Sequence, residues 1–146
     1  MKISTRTRYG TRLMLSLALS YGKGPFLLRD IAKEEQISEK YLSQIVIPLK
    51  AKGLVNSFRG AHGGYTLAKA PSQISIKEIV EALEGRLNLI GRIKDISSYS
   101  QVSVRVTHNI WNEISEKMAK TLDSITLDDL VKESKAKGNK VLMYNI

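Results

Sequence analysis

The sequence predicts a mostly α-helical protein carrying a small β-hairpin wing: a winged helix-turn-helix followed by a long dimerisation helix. Three observations carry that expectation. Two short apolar-periodic segments stand about three residues apart within residues 27–55, as in a helix-turn-helix. A glycine-rich stretch, RGAHGGY at 59–65, follows between two β-prone runs. A near-heptad apolar stripe then runs from Val106 to Leu122 of the 146-residue chain.

Each element has its own signal. Leu13, Met14, Leu17, Ala18 and Tyr21 repeat at helical spacing over 7–21, and Gly22, Gly24 and Pro25 end that helix. Arg6, Arg8 and Arg12 crowd its start, where cations oppose the helix dipole; they read either as solvated surface or as phosphate contacts. Leu28, Ile31 and Ala32 form one face of a second helix, and Ile37 plugs the turn after it. Ser38 caps a third helix, its hydroxyl placed to accept from a free backbone N–H. Tyr41, Leu42, Ile45, Val46 and Leu49 form the buried face of that helix, Gly53 closes it, and Pro48 inside it predicts a local bend.

Val55–Arg59 and Tyr65–Leu67 read as the two strands of the wing. Ser75 and Glu78 make a capping box before Ile76, Ile79, Val80 and Leu83, and Gly85 terminates this fourth helix. Residues 86–101 have no clear period and read as a loop with a short turn. A longer helix over 102–122 carries Val106, Ile110, Trp111, Ile114, Met118 and Leu122 on one stripe. Either a helix from a second copy or the chain's own first helix has to cover it. Thr126 caps a last helix with Asp128 and Asp129 in its first turn. The tail KAKGNKVLMYNI shows no period. The organisation is therefore a DNA-binding domain over 1–85, a loop over 86–101, and a dimerisation helix with a C-terminal extension over 102–146.

Composition narrows the function. Hydrophobic residues make up 42% and charged residues 25%, enough for a packed core. No apolar run reaches membrane-span length, and MKISTRTRYG lacks the apolar stretch of a signal peptide. A cytoplasmic protein with no membrane partner is expected. The absence of cysteine excludes disulfides, thiolate zinc sites, cysteine nucleophiles and cysteine-ligated clusters. The net charge of +9 is lopsided: residues 1–70 hold 12 Lys/Arg against 4 Asp/Glu, and residues 71–146 hold 11 against 10. A positive field concentrated on the helix-turn-helix attracts polyanions, of which nucleic acid is the commonest.

RGAHGGY is not a nucleotide cradle. A P-loop needs lysine and Ser/Thr after its last glycine, opening a helix; here Tyr65 and a strand follow Gly64. GAHG matches the G-x-x-G of KH domains, but that loop joins helices. A hairpin tip remains, and glycine supplies the positive φ of its turn. A wing tip beside a recognition helix falls over the minor groove, where arginine reads width and potential. The candidate DNA-binding residues are Arg6, Arg8, Leu28, Ser38, Lys40, Tyr41, Ser43, Gln44 and Lys50, with Arg59, Gly60, His62, Gly63 and Gly64 in the wing. No acid–base pair, nucleophile constellation or metal-ligand spacing is present, and His62 and His108 are the only histidines, so an enzyme is not expected. A winged-helix module for protein or RNA, with no operator of its own, is the competing reading.

YLSQIVIPLKAKGLVNSFRGAHGGYTLA at 41–68, MKISTRTRYGTRLMLSLA at the start and SIKEIVEALEG at 75–85 together resemble the Rrf2 family of bacterial transcription regulators, the IscR, NsrR and CymR type. The resemblance covers about residues 1–122. It implies a homodimeric repressor on a palindromic operator, with a long helix crossing to the other subunit. Many members hold an iron–sulfur cluster on three cysteines just before a T-x-x-[LI]-W motif, which is THNIW at 107–111 here. Arg92, Tyr99 and Arg105 stand at the positions matching those cysteines, and none replaces a thiolate as a cluster ligand. His108 matches a ligand position in some relatives. The expectation is therefore a protein without cofactor or metal. Its former sensor region, with Arg92, Tyr99, Arg105 and His108, binds a small anion, receives a regulatory protein such as cysteine synthase, or is inert.

Overall fold

The computed structural model describes residues 2–91 and 95–144, with side chains as far as Gly138. The helices in chain order are α1 (Thr5–Leu19), α2 (Leu28–Glu35), α3 (Glu39–Ala51), α4 (Ile76–Glu84), α5 (Val102–Ser124) and α6 (Leu127–Tyr144). Between α3 and α4 lies one antiparallel hairpin, β1 (Val55–Phe58) and β2 (Gly64–Leu67), in register from Val55 opposite Leu67 to Phe58 opposite Gly64. The fold is mostly helical with a hairpin wing, as the sequence predicts.

The core is built from the periodic positions. Leu13, Met14 and Leu17 of α1 meet Leu42, Ile45 and Leu49 of α3, Leu54 and Val55 at the root of the wing, and Ile74 and Ile79 around the start of α4. Each such side chain contributes roughly 1.5–3 kcal/mol when fully buried, so no single contact carries the fold. Ile37 is buried in the turn between α2 and α3, and Gln36 before it takes the left-handed conformation that ends α2. The capping box at α4 is complete: Ser75 Oγ accepts from Glu78 N at 3.2 Å and Glu78 Oε2 accepts from Ser75 N at 2.9 Å.

Three features depart from the sequence reading. The first helix ends at Leu19, and Tyr21 is exposed beyond it. Phe26 adds a bridge to the wing, its N–H donating to Tyr65 O at 3.0 Å and its carbonyl accepting from Tyr65 N at 2.8 Å. The tail that shows no period continues as helix α6 to Tyr144. Opposed charges one turn apart support it, Asp128 with Lys132 and Glu133 with Lys137, both at 3.0 Å.

It is α6, not α5, that returns to the first helix. A short antiparallel bridge holds its start: Ile76 N donates to Ile125 O at 2.8 Å and Leu127 N to Ile74 O at 2.9 Å. Leu127 and Val131 are buried in the same core as α1. The C-terminal extension thus completes the core of the winged helix-turn-helix, while α5 rests on α4. No helix among the described residues is long and apolar enough to cross a membrane.

Candidate nucleic-acid interface

The candidate recognition helix is set by its cap. Ser38 Oγ accepts from Tyr41 N at 3.3 Å, so α3 starts at Glu39, and its apolar face then turns Lys40, Ser43 and Gln44 outward. Ser43 Oγ donates back to Lys40 O at 2.6 Å, which leaves its lone pairs outward. Tyr41 is less free than its place in the sequence suggests. It is half-buried, with its ring edge-on to Tyr9 of α1 at 5.8 Å. That contact braces α3 against α1. Lys50, in the last turn of α3, donates to Ser57 Oγ of β1 at 2.6 Å and ties the helix to the wing.

The α1 arginines divide. Arg12 pairs with Glu35 at 2.8 Å and lies 5.5 Å from the Tyr9 ring centroid, so it fastens α1 to the end of α2. Arg6 is exposed and makes no salt bridge among the described residues. Arg8 is exposed as well, held only by a 3.1 Å bond to Thr5 Oγ1 and its place 6.0 Å from Tyr9. Leu28 is a correction. Its side chain is 8% exposed and belongs to the core, so it is not available to touch a DNA strand. At the opening of α2 the exposed side chains are Leu27, Arg29 and Asp30, the last two 4.0 Å apart.

The wing tip is a turn closed by Gly63 N donating to Gly60 O at 3.0 Å. Arg59, Gly60, Ala61 and His62 are exposed on it, and Gly60 has φ +102°. Gly63 and Gly64 differ from the expectation: both are buried against the protein's own backbone. A Cβ on Gly63 would lie 2.3 Å from Phe58 O, and one on Gly64 would lie 2.5 Å from Phe26 O. Their lack of a side chain lets three backbone segments close up; the outward surface belongs to the four residues before them.

Of the candidate effector residues, Arg92 lies outside the described residues. Tyr99 follows a single 3-10 turn over Ile96–Ser98 and is exposed, as is Arg105 on α5. His108 is half-buried, and its Nδ1 has no hydrogen-bond partner among the described residues. No hydrogen bond or ion pair joins Tyr99, Arg105 and His108 among the described residues. The donor set does not suit an iron–sulfur cluster, because the whole chain contains no thiolate. No group of three His, Asp or Glu side chains among the described residues is placed to hold a metal ion. A polar cavity between α4 and α5, lined by residues the sequence reading did not single out as a site, has none of Tyr99, Arg105 and His108 in its lining.

The stripe on α5 is largely uncovered in the protomer. Val106, Ile110, Trp111 and Ile114 are exposed, with Val102 beside them. Met118 and Leu122 are half-buried. Leu122 lines an apolar cavity of about 460 Å³ with Ile3, Leu15, Ile76 and Val80.

Comparison with known proteins agrees with this geometry. The family model Rrf2, described as an iron-dependent transcriptional regulator, matches residues 3–133. The helix-turn-helix transcriptional regulator CymR of Bacillus subtilis is 37% identical over 144 residues, 99% of each chain. IscR of Klebsiella pneumoniae is 34% identical over 131 residues, 90% of this chain and 80% of IscR. The solved structure of the B. subtilis CymR, the global cysteine regulator, superposes with a TM-score of 0.76 at 38% identity, covering 91% of this chain and 98% of that one.

Proposed function

Because this chain belongs to the Rrf2 family of helix-turn-helix transcription regulators, we propose that it is a homodimeric repressor that binds a palindromic operator without an iron–sulfur cluster. DNA-binding regulation is the family's function, and none of its members named above is an enzyme. The dimer, the palindrome and the absence of a cluster are the proposal.

One observation supports it most: the outward residues of α3 and the wing tip are both exposed polar surfaces on the basic half, and Lys50 ties that helix to the wing. Lys40, Ser43 and Gln44 suit base edges in a major groove, and Arg59 and His62 suit the neighbouring minor groove or its phosphates. Arg6, Arg8 and Lys50 add phosphate-facing charge. The uncovered apolar face of α5 supports a dimer, since four large side chains from Val106 to Ile114 would otherwise remain in water. The lack of any cysteine supports regulation by something other than a cluster.

Selection of DNA from a random pool by the purified full-length protein tests the reading. Enrichment of a palindrome whose half-sites are about one helical turn apart is the expected result. Failure to enrich any palindrome would favour a winged-helix module that binds protein or RNA.

A further inference from the structure

The α4–α5 junction contains a cavity of about 550 Å³, within the range of about 300–1,000 Å³ usual for small-molecule sites. Its lining is unusually charged for a space between two helices. Lys77 and Glu81 come from α4, Arg86 and Asn88 from the segment after it, and Asn112 and Glu116 from α5. We propose that this cavity binds a free α-amino acid through its carboxylate and ammonium groups, and that the amino acid is the regulator's effector. The effector role rests on the DNA-binding function proposed above; the binding site does not.

The charges argue for a zwitterion. Two cations and two carboxylates face one space, so a simple anion would meet Glu81 and Glu116, and a simple cation would meet Lys77 and Arg86. A molecule carrying both charges satisfies both sets, and the carboxamides of Asn88 and Asn112 can each donate and accept. Among the described residues these charges are also uncommitted. Elsewhere the chain pairs opposite charges one helical turn apart: Glu113 with Lys117, Asp128 with Lys132 and Glu133 with Lys137. In all three the acid comes first, the favourable order against the helix dipole. Lys77 and Glu81 have the same spacing in the reverse order. None of Lys77, Glu81, Arg86 and Glu116 makes a salt bridge among the described residues. The first two leave a cation and an anion with Cβ atoms about 5–6 Å apart on one wall.

The site is also braced. Ser115, buried on α5, accepts from Leu89 N at 3.1 Å and donates to Trp111 O at 2.9 Å. That bond fixes the loop over residues 86–91 against α5. Trp111 and Ser115 share one turn, so the cavity wall and the apolar stripe are parts of the same rigid helix. On the other side, α4 packs on α1 and α3. A ligand bridging α4 and α5 would therefore set the angle between the DNA-binding half and the dimerisation helix.

Calorimetry of the full-length protein, without DNA, against each standard amino acid tests the site. At least one should bind, and its N-acetyl and methyl-ester derivatives should not. Glu81→Gln and Arg86→Ala should each weaken binding by about tenfold, as loss of one charge-assisted contact implies. No binding by any amino acid overturns the proposal. So does binding that survives esterification and acetylation, or that both variants leave unchanged. Operator affinity is then measured with and without the bound amino acid. A change of at least severalfold supports the effector role, and an unchanged affinity overturns that role. Failure to select any operator would instead count against the DNA-binding reading, because the calorimetry contains no DNA.

Discussion

Thr7, buried in the first helix, donates a 2.7 Å hydrogen bond to Oε1 of Glu84 at the end of α4. The same oxygen accepts from the backbone N–H of Ser4 at 3.2 Å. The first turn of α1 contains no acid of its own and two arginines that oppose its dipole. Glu84 supplies the missing negative charge from another helix. The two helices come close because Gly10 has no side chain: a Cβ there would lie 2.3 Å from Leu83 Cδ1.

This contact makes stability depend on pH. The Ser4 and Thr7 hydrogen bonds hold the Glu84 carboxyl below its ordinary value of 4.5. A carboxyl with a depressed folded pKa stabilises the fold above its unfolded pKa, and that stability is lost as pH falls through the folded value. The melting temperature of Glu84→Gln should therefore lie below that of the wild type at pH 7, with the gap closing below about pH 4.5. A gap independent of pH would mean that the charge of Glu84 does not contribute.

Two glycines of the wing should respond unequally to alanine. Gly64 has φ +143° and its added Cβ would meet the backbone of Phe26 at 2.5 Å, which cannot swing aside as a side chain can. Gly64→Ala should cost about 2–4 kcal/mol, from backbone strain and overpacking together, and detach Phe26 from the wing. Gly60 has open space around it, so Gly60→Ala meets only the conformational cost of its φ, about 1 kcal/mol. Chemical denaturation of both variants checks the contrast.

The caps and the wing were legible because each is a short-range rule. Ser38, the pair Ser75 and Glu78, and the β-prone runs flanking RGAHGGY act within a few residues of themselves. What escaped depends on distant partners. Phe26 reads as one apolar residue beside Pro25 until Tyr65 offers it a strand edge. Gly63 and Gly64 look like flexible tip residues, but the chain that crowds them is their own. Among the α6 side chains described, as far as Gly138, Leu127, Leu130 and Val131 at its start reach the core, and charge pairs support the turns that follow. The charged cavity needs α4 and α5 side by side, which no spacing announces.

In the proposed complex, the wing and the recognition helix should fail differently. Arg59→Ala removes a groove probe and should weaken operator binding by roughly 1–3 kcal/mol while narrowing the gap to random DNA. Arg6→Ala removes a phosphate-facing charge and should weaken both alike, lowering the slope of affinity against salt by about one unit. Titrations at several salt concentrations separate the two. Arg59→Ala binding its operator as tightly as the wild type would remove the wing from the interface.

A cluster-free regulator should ignore iron. The purified protein is expected to show no visible absorption, and a chelator should leave its operator affinity unchanged, because the chain offers no thiolate to an iron ion. Loss of DNA binding on chelation would point to a metal held by oxygen and nitrogen donors.

The dimer should depend on the stripe of α5. Ile110 and Trp111 are 48% and 47% exposed in the protomer, so a charge at either position does not disturb the core. In an interface it would be desolvated without a partner, at a cost of several kcal/mol. Ile110→Asp should therefore give a folded monomer by analytical ultracentrifugation, with an unchanged circular dichroism spectrum. It should also lose operator affinity far more than affinity for a single half-site, since a monomer forfeits the second half-site. A variant that stayed dimeric would place the interface elsewhere, and the apolar face of α5 would need another cover.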